Sequence, residues 1–306
     1  MPAQDGIPVS FYERFCGRPT VVLIAHSPSD LAGWEMFPAP VFGILSEGDG
    51  TGLPFPCLRD DGRLTQLYGG SRPSFGPVGA VVLDATMRVV ARFPDADMAH
   101  LRELVMDLSA QMPTQEATVT AAAPVLMVPQ VLDPAFCQQL IAVHDADHFE
   151  SGMMRLVAGQ PQLVPDPTVK IRRDHRLEDP GLMAQLSDAL TRRVLPAIQA
   201  AFHYRVTRFE AFKIVSYDAK TGGYFRRHRD NTTPDACHRR FALSINLNDG
   251  YAGGCLTFPE FGSTCYRPPT GGSIVFSGSL LHEATDVTAG RRYVVLSFLW
   301  GDDVGS

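Results

Sequence analysis

The chain predicts two domains of different class, an α/β domain followed by an all-β domain with flanking helices, and three observations carry this. Its 306 residues are about twice the length of one ordinary domain. The charge is divided unevenly: residues 1–119 hold 8 Lys and Arg against 14 Asp and Glu, while residues 120–306 hold 19 of each, so the net −6 belongs to the first part. Between them, residues 113–123 are Thr, Ala, Gln and Pro without apolar period, as a linker would be. The domains are therefore expected at residues 1–115 and 124–306.

Composition narrows the function classes. An apolar share of 45% with 20% charged residues fits a soluble globular protein and leaves no case for disorder. No run approaches the ~20 apolar residues of a membrane span, and Met1-Pro-Ala-Gln-Asp5 lacks the basic and apolar regions of a signal peptide. A cytoplasmic protein without a membrane partner is expected. No broad basic face is available, so nucleic acid is not an expected partner. Cys16, Cys57, Cys137, Cys237, Cys255 and Cys265 contain no C-x-x-C pair. They are expected to be reduced and mostly buried.

In chain order, Thr20-Val-Val-Leu-Ile-Ala25 reads as a first strand. Gly79-Ala-Val-Val-Leu-Asp84 and Arg88-Val-Val-Ala-Arg-Phe93 read as two more, joined by a turn. Asp95-Ala-Asp97 opens a helix to about residue 112, with Leu101, Leu104, Val105 and Leu108 at helical spacing. In the second half, Asp133-Pro134 and Asp179-Pro180 each place an N-cap before a proline at the first helical position. Beyond Arg205, β-rich runs recur at 209–217, 241–247, 255–258, 273–276 and 293–299, punctuated by Gly, Pro and Asp. Such spacing suggests a sandwich or barrel, of which a jelly roll is one solution.

The residues that carry chemistry follow Tyr217: Gly222-Gly223, then His228-Arg-Asp230, and later His282 with Arg291-Arg292-Tyr293. Two imidazoles and one carboxylate on one face of iron leave three positions open, which O₂ and a bidentate 2-oxo acid require. A His-x-Asp pair on a strand points both side chains the same way, because strand side chains alternate. The third ligand then has to come from a distant strand laid alongside. His148-Phe-Glu150 has the same wording but follows a helix pattern, without a glycine turn or downstream partner, and is read as a decoy.

In this ordered set of motifs, residues 124–300 resemble the prolyl 4-hydroxylase-like iron(II)/2-oxoglutarate dioxygenases. The resemblance implies a double-stranded β-helix (jelly roll) fold. It implies oxidation of a substrate C–H bond coupled to conversion of 2-oxoglutarate and O₂ to succinate and CO₂, with ascorbate a candidate reductant. It also implies His228, Asp230 and His282 as metal ligands and catalytic residues, with hydroxylation as the outcome where the carboxylate ligand is kept. Arg292 is implied as the cation for the distal carboxylate of 2-oxoglutarate, a task that suits a bidentate guanidinium, while Arg291 would face the other side of its strand. Tyr217 matches the family tyrosine near the co-substrate, one residue further upstream than in some relatives. Asn246 stands where several relatives carry a tyrosine that touches the 2-oxo acid.

The substrate is open among peptidyl proline, other protein side chains, free amino acids and small metabolites. Arg226, Arg227, Arg229, His238, Arg239 and Arg240 bracket His228. Either they pair with Asp218, Asp235 or helix acids, or Arg227 or Arg239 receives a substrate carboxylate. The first domain is similar to thioredoxin-fold, peroxiredoxin-like domains. Where a peroxidatic cysteine would follow the first long strand it has His26-Ser-Pro-Ser-Asp30, so it is expected to be redox-inactive. Two rival readings are a catalytically silent binding protein on the same fold, and a thiol peroxidase with an accessory domain. The complete ligand set opposes the first and the missing cysteine the second.

Overall fold

β1 (Thr20–Ala25) is wholly buried and forms the centre of the first sheet. The structure is a computed structural model, and it describes residues 11–65, 77–112, 119, 121–157 and 160–302. The chain divides into two units, Met1–Thr118 and Val119–Ser306. Most of the expected linker, 113–118 and 120, lies outside the described residues.

In the first unit, β2 (Val41–Leu45) pairs parallel to β1, and β3 (Cys57–Arg59) parallel to β2. On the other side β4 (Val78–Leu83) and β5 (Val89–Phe93) continue the sheet antiparallel. Helices α1 (Phe11–Phe15) and α2 (Met98–Ala110) complete it. The central strands are continuously apolar because both faces are covered. Val21 and Leu23 pack with Trp34, Leu101 and Val105, whereas Val22 and Ile24 pack with Phe15 and Phe42. Asp97 caps α2 through the Ala99 amide, 2.9 Å away. β2 escapes a sequence reading because Pro38 and Pro40 crowd its start and Gly43 interrupts its short apolar run.

The second unit begins with β6 (Val125–Val128) and α3 (Pro134–Ala146), whose N-cap Asp133 accepts from the Phe136 amide at 2.8 Å. Next come β7 (Phe149–Glu150), the hairpin β8 (Met153–Val157) and β9 (Gln160–Val164), β10 (Lys170–Ile171) and β11 (Arg173–Arg176). None of these short strands has a clean apolar alternation. Asp179 then caps α4 (Pro180–Ala189) through Leu182 at 2.8 Å. A wide π turn (Leu190–Val194) leads into α5 (Leu195–Phe202). Pro196 has no N–H for the carbonyl one turn back, which accounts for the widening there.

The remaining strands are β12 (Arg208–Phe209), β13 (Lys213–Asp218), β14 (Tyr224–His228), β15 (Phe241–Asn246), β16 (Tyr251–Gly253), β17 (Leu256–Thr257), β18 (Ser273–Ser277), β19 (His282–Ala284) and β20 (Val287–Trp300). The larger sheet runs β6-β18-β15-β20-β13-β11-β7 and the smaller β10-β14-β19-β17, with antiparallel pairing throughout the described residues. Helices cover one face of the larger sheet, where Leu140, Leu186, Leu190 and Ile198 meet Phe212, Ile214, Ile245 and Val295. The alternate residues Val215, Tyr217 and Val294 pack instead with Ala284 and Val287 near the smaller sheet. The space between the sheets holds the candidate site.

The cysteine expectation is corrected. Cys255 and Cys265 form a disulfide, their Cα atoms 5.3 Å apart, because the chain folds back so that Leu256 pairs with Tyr266. Of the free thiols only Cys137 is buried, while Cys57 is half-buried and Cys16 and Cys237 are exposed. Among the described residues no helix is long and apolar enough to cross a membrane.

Candidate metal centre

β14 and β19 lie side by side, and their register sets His228 opposite His282, ring centroids 4.2 Å apart. Asp230 follows two residues later. It lies beyond the end of β14 in a bend, which corrects the expectation that the whole His-x-Asp unit is strand. Its position comes from its backbone N–H, which donates to the Gly278 carbonyl at 2.9 Å. The Asp230 carboxylate then stands 3.4 Å from Nε2 of His228 and 3.4 Å from Nε2 of His282. One ligand atom from each of the three lies within 4.8 Å of the others.

The imidazoles are held for this purpose. Nδ1 of His228 donates to the Arg226 carbonyl at 2.8 Å and Nδ1 of His282 to the Leu280 carbonyl at 2.9 Å. A carbonyl only accepts, so the proton sits on Nδ1 and the Nε2 lone pair faces the common point. Phe225 stacks on His228 with 3.5 Å between centroids, and Phe276 meets His282 edge-on at 4.7 Å. Burial, opposed in part by Asp230, holds His282 below the usual histidine value. Burial raises Asp230, but the His228 hydrogen bond and the charges of His282 and His228 outweigh it and leave the carboxyl below its ordinary value. His282 held toward its neutral form and Asp230 toward its ionised form are the states a divalent metal takes.

Gly222 and Gly223 shape the approach to β14. Gly222 has φ +70°, and a Cβ on Gly223 would fall 2.6 Å from the Asp218 backbone nitrogen, so the turn back from Tyr217 needs both.

Arg292 and Tyr217 face each other across β20 and β13. Both are buried, and the guanidinium carbon lies 5.5 Å from the Tyr217 ring centroid. Nε of Arg292 is buried without a hydrogen-bond partner. An orphaned guanidinium nitrogen costs free energy unless an anion completes it, so the residue fits a carboxylate ligand. Arg291 is already occupied. It donates to Asp218 from Nε at 2.9 Å and from NH2 at 2.6 Å, and to the Tyr293 hydroxyl at 3.0 Å. Asn246 is buried and its amide is engaged: Nδ2 donates to the carbonyls of Asn248 at 2.7 Å and Pro268 at 3.2 Å, and Oδ1 accepts from Tyr251 at 2.9 Å.

Further residues stand here that sequence reasoning passed over. Lys170, Arg172 and Asp174 are buried, with Arg172 Nε 2.9 Å from Asp174 and its NH1 donating to the Tyr217 hydroxyl at 3.4 Å. In sequence they read as one solvated charged run, Lys170-Ile-Arg-Arg-Asp174, and the alternation was the one clue that a single face takes all three charges inward. Tyr251 was hidden in a Gly- and Asp-rich loop.

The basic residues around His228 are paired, with partners other than those expected. Arg226 binds Asp286 at 2.7 Å, Arg227 Glu283 at 3.3 Å and Arg229 Glu260 at 2.7 Å. Glu210 takes both Arg239, at 2.6 Å, and His238, at 3.0 Å. His148 donates from Nδ1 to the His144 carbonyl at 2.9 Å and has no part in the triad.

Residues 212–300 match the family model of the 2OG-Fe(II) oxygenase superfamily. The chain is similar to a PKHD-type hydroxylase of Xanthomonas campestris pv. campestris (strain 8004), 26% identical over 186 residues that cover 57% of this chain and 77% of that protein. A PKHD-type hydroxylase of Xanthomonas euvesicatoria pv. vesicatoria is 25% identical over the same share of each chain. Among solved structures, a prolyl-4-hydroxylase from Pseudomonas putida has 19% identity and a TM-score of 0.46, covering 59% of this chain and 94% of that one. The chain thus carries a 2OG-Fe(II) oxygenase domain, which works as a dioxygenase with iron(II), 2-oxoglutarate and O₂.

Proposed function

Starting from that oxygenase domain, we propose that the chain is a hydroxylase in which His228, Asp230 and His282 hold iron(II) and Arg292 holds the distal carboxylate of 2-oxoglutarate. The observation that carries this is the pairing of three converging ligand atoms with a buried guanidinium whose Nε has no partner. When bound, the metal supplies activation of O₂, so that a C–H bond becomes C–OH while 2-oxoglutarate is converted to succinate and CO₂. Each O₂ then gives one oxygen to the product and one to succinate. The hydroxylase names of the Xanthomonas relatives support this outcome.

The protein's own part is positioning. The carbonyls of Arg226 and Leu280 keep both imidazoles in the ligating tautomer. Tyr217 lies against the Arg292 guanidinium, and Asn246 fixes the hydroxyl of Tyr251 rather than meeting the co-substrate itself. Phe225 covers one face of the His228 ring, and Phe258 and Phe276 pack against His282.

The first domain is read as thioredoxin-like and redox-inactive. Burial pushes the Cys57 thiol up to about 11, and the segment directly after β1, His26–Asp30, contains no cysteine. Its proposed task is docking or substrate presentation rather than peroxide chemistry. The function is tested by measuring succinate from 2-oxoglutarate with iron(II) and ascorbate. Turnover by the wild type that disappears in His228→Ala supports it, and no turnover by the metal-loaded wild type refutes it.

A further inference from the structure

The charges around the triad nearly all have partners. Arg172 is paired with Asp174 at 2.9 Å and Arg239 with Glu210 at 2.6 Å, while Arg227 and Arg229 are tied to Glu283 and Glu260. In the reading above Arg292 takes the co-substrate. Lys213 and Lys170 are left over, and Lys170 is the less exposed of the two. It is only 8% exposed, yet it has neither an ion-pair partner nor a hydrogen-bond partner among the described residues. Burying an ammonium without a counter-charge is costly, and Arg172 nearby adds to the cost.

Its placement shows where the missing anion would sit. Lys170 pairs with Phe225 across β10 and β14, and its ammonium lies over the Phe225 ring, 5.1 Å from the centroid. Phe225 stacks on His228 at 3.5 Å. An imidazole that close fills its face of the ring, so Lys170 and the Arg172 guanidinium, at 5.2 Å, approach from the other face. The ammonium therefore stands one aromatic ring from a metal ligand. Arg172 beside it reaches the Tyr217 hydroxyl, which leads to Arg292.

We propose that Lys170 receives an anionic group of the substrate, so that the molecule oxidised carries a carboxylate. This rests on the reading of His228, Asp230 and His282 as the iron site. A free amino acid and an acidic side chain of a peptide share this chemistry, and the arms of the test separate them. Burial first and Arg172 next hold the Lys170 pKa down to about 8, with Asp174 opposing them. An anion bound there would restore it.

The test uses the full chain with iron(II), 2-oxoglutarate and ascorbate, and reads succinate formed above the rate without substrate. Two matched probe sets are compared: the free L-amino acids with their C-terminal amides, and the capped peptide Ac-Glu-Pro-Glu-NH₂ with Ac-Gln-Pro-Gln-NH₂. The expected result is a preference of about tenfold or more for the carboxylate members of one set, the worth of a charge-assisted hydrogen bond. Lys170→Met should lose that preference, Lys170→Arg should retain part of it, and the exposed Lys220→Met should leave it unchanged. A second readout needs no turnover. Lys170→Met should raise the melting temperature of the metal-free protein by about 2–4 °C, because an unpaired buried charge is removed. Equal response to amides, no response to any carboxylate, a preference that survives in Lys170→Met, or a lowered melting temperature overturns the proposal. So does a raised 2-oxoglutarate requirement in Lys170→Met with the preference intact, which would assign the ammonium to the co-substrate. Absence of all succinate from the wild type would instead fell the iron-site reading.

Discussion

The guanidinium of Arg292 lies over the ring of Tyr217, and no hydrogen bond completes its buried Nε. Neighbouring Arg291 is saturated by Asp218 and Tyr293. Two adjacent arginines on β20 therefore have opposite duties, since alternate strand residues face opposite sides. One holds the turn before β14 and the other waits for an anion.

Arg292→Ala should raise the 2-oxoglutarate requirement by the equivalent of about 2–5 kcal/mol, the cost of truncating one partner of a buried charge pair, and leave iron bound. Arg291→Ala should hardly change that requirement but lower the melting temperature by about 2–4 °C, through loss of the Asp218 and Tyr293 contacts. A 2-oxoglutarate titration of both variants decides the matter, and the reverse ranking contradicts the assignment.

Asn246→Ala strands the Tyr251 hydroxyl and the Pro268 carbonyl, and each buried group left unpaired costs about 1–3 kcal/mol. Denaturant unfolding should show this loss. The 2-oxoglutarate requirement should rise less than in Arg292→Ala; an equal rise would mean that the amide contacts the co-substrate directly.

The disulfide Cys255–Cys265 closes a short loop beside Gly254, where an added Cβ would fall 3.2 Å from Cδ of Arg292. Opening it, by reduction or in Cys265→Ser, should cost about 2–3 kcal/mol of stability by the loop-entropy account. Non-reducing peptide mapping should recover the 255–265 link. Recovery of free thiols at both positions in the oxidised protein would contradict it.

Much of the site was legible because its residues are local. His228, Asp230 and the Gly222-Gly223 turn stand within nine positions of one another, and Asp133-Pro134 and Asp179-Pro180 mark helix starts by their own chemistry. What was not legible depends on distant strands. Lys170, Arg172 and Asp174 look solvated until β10 and β11 place them against Phe225 and Tyr217. The Cys255–Cys265 bridge follows from a fold-back that spacing does not announce. The acids that occupy Arg227 and Arg239 come from 56 and 29 residues away, so no local pattern identifies them.

Lys170 also makes a pH prediction. Burial first, and Arg172 next, lower its pKa to about 8, with Asp174 opposing and Lys213 adding slightly. A lysine in the unfolded chain titrates near ~10.4. Between these values the unfolded chain holds a proton that the folded chain has lost, so this group's contribution to stability rises from about pH 8 to about pH 10.4. Below about 8 the folded state bears the full cost. The stability difference between Lys170→Met and wild type should therefore be largest near pH 7.5 and shrink by pH 10; a constant difference would show that the ammonium is not held unpaired.

The most direct measurement is anaerobic calorimetric titration of iron(II) into the wild type, Asp230→Ala and His148→Ala. The account predicts one tight site in the wild type, the same site in His148→Ala, and loss of tight binding in Asp230→Ala, where one of three converging ligands is gone. Full affinity in Asp230→Ala would contradict it.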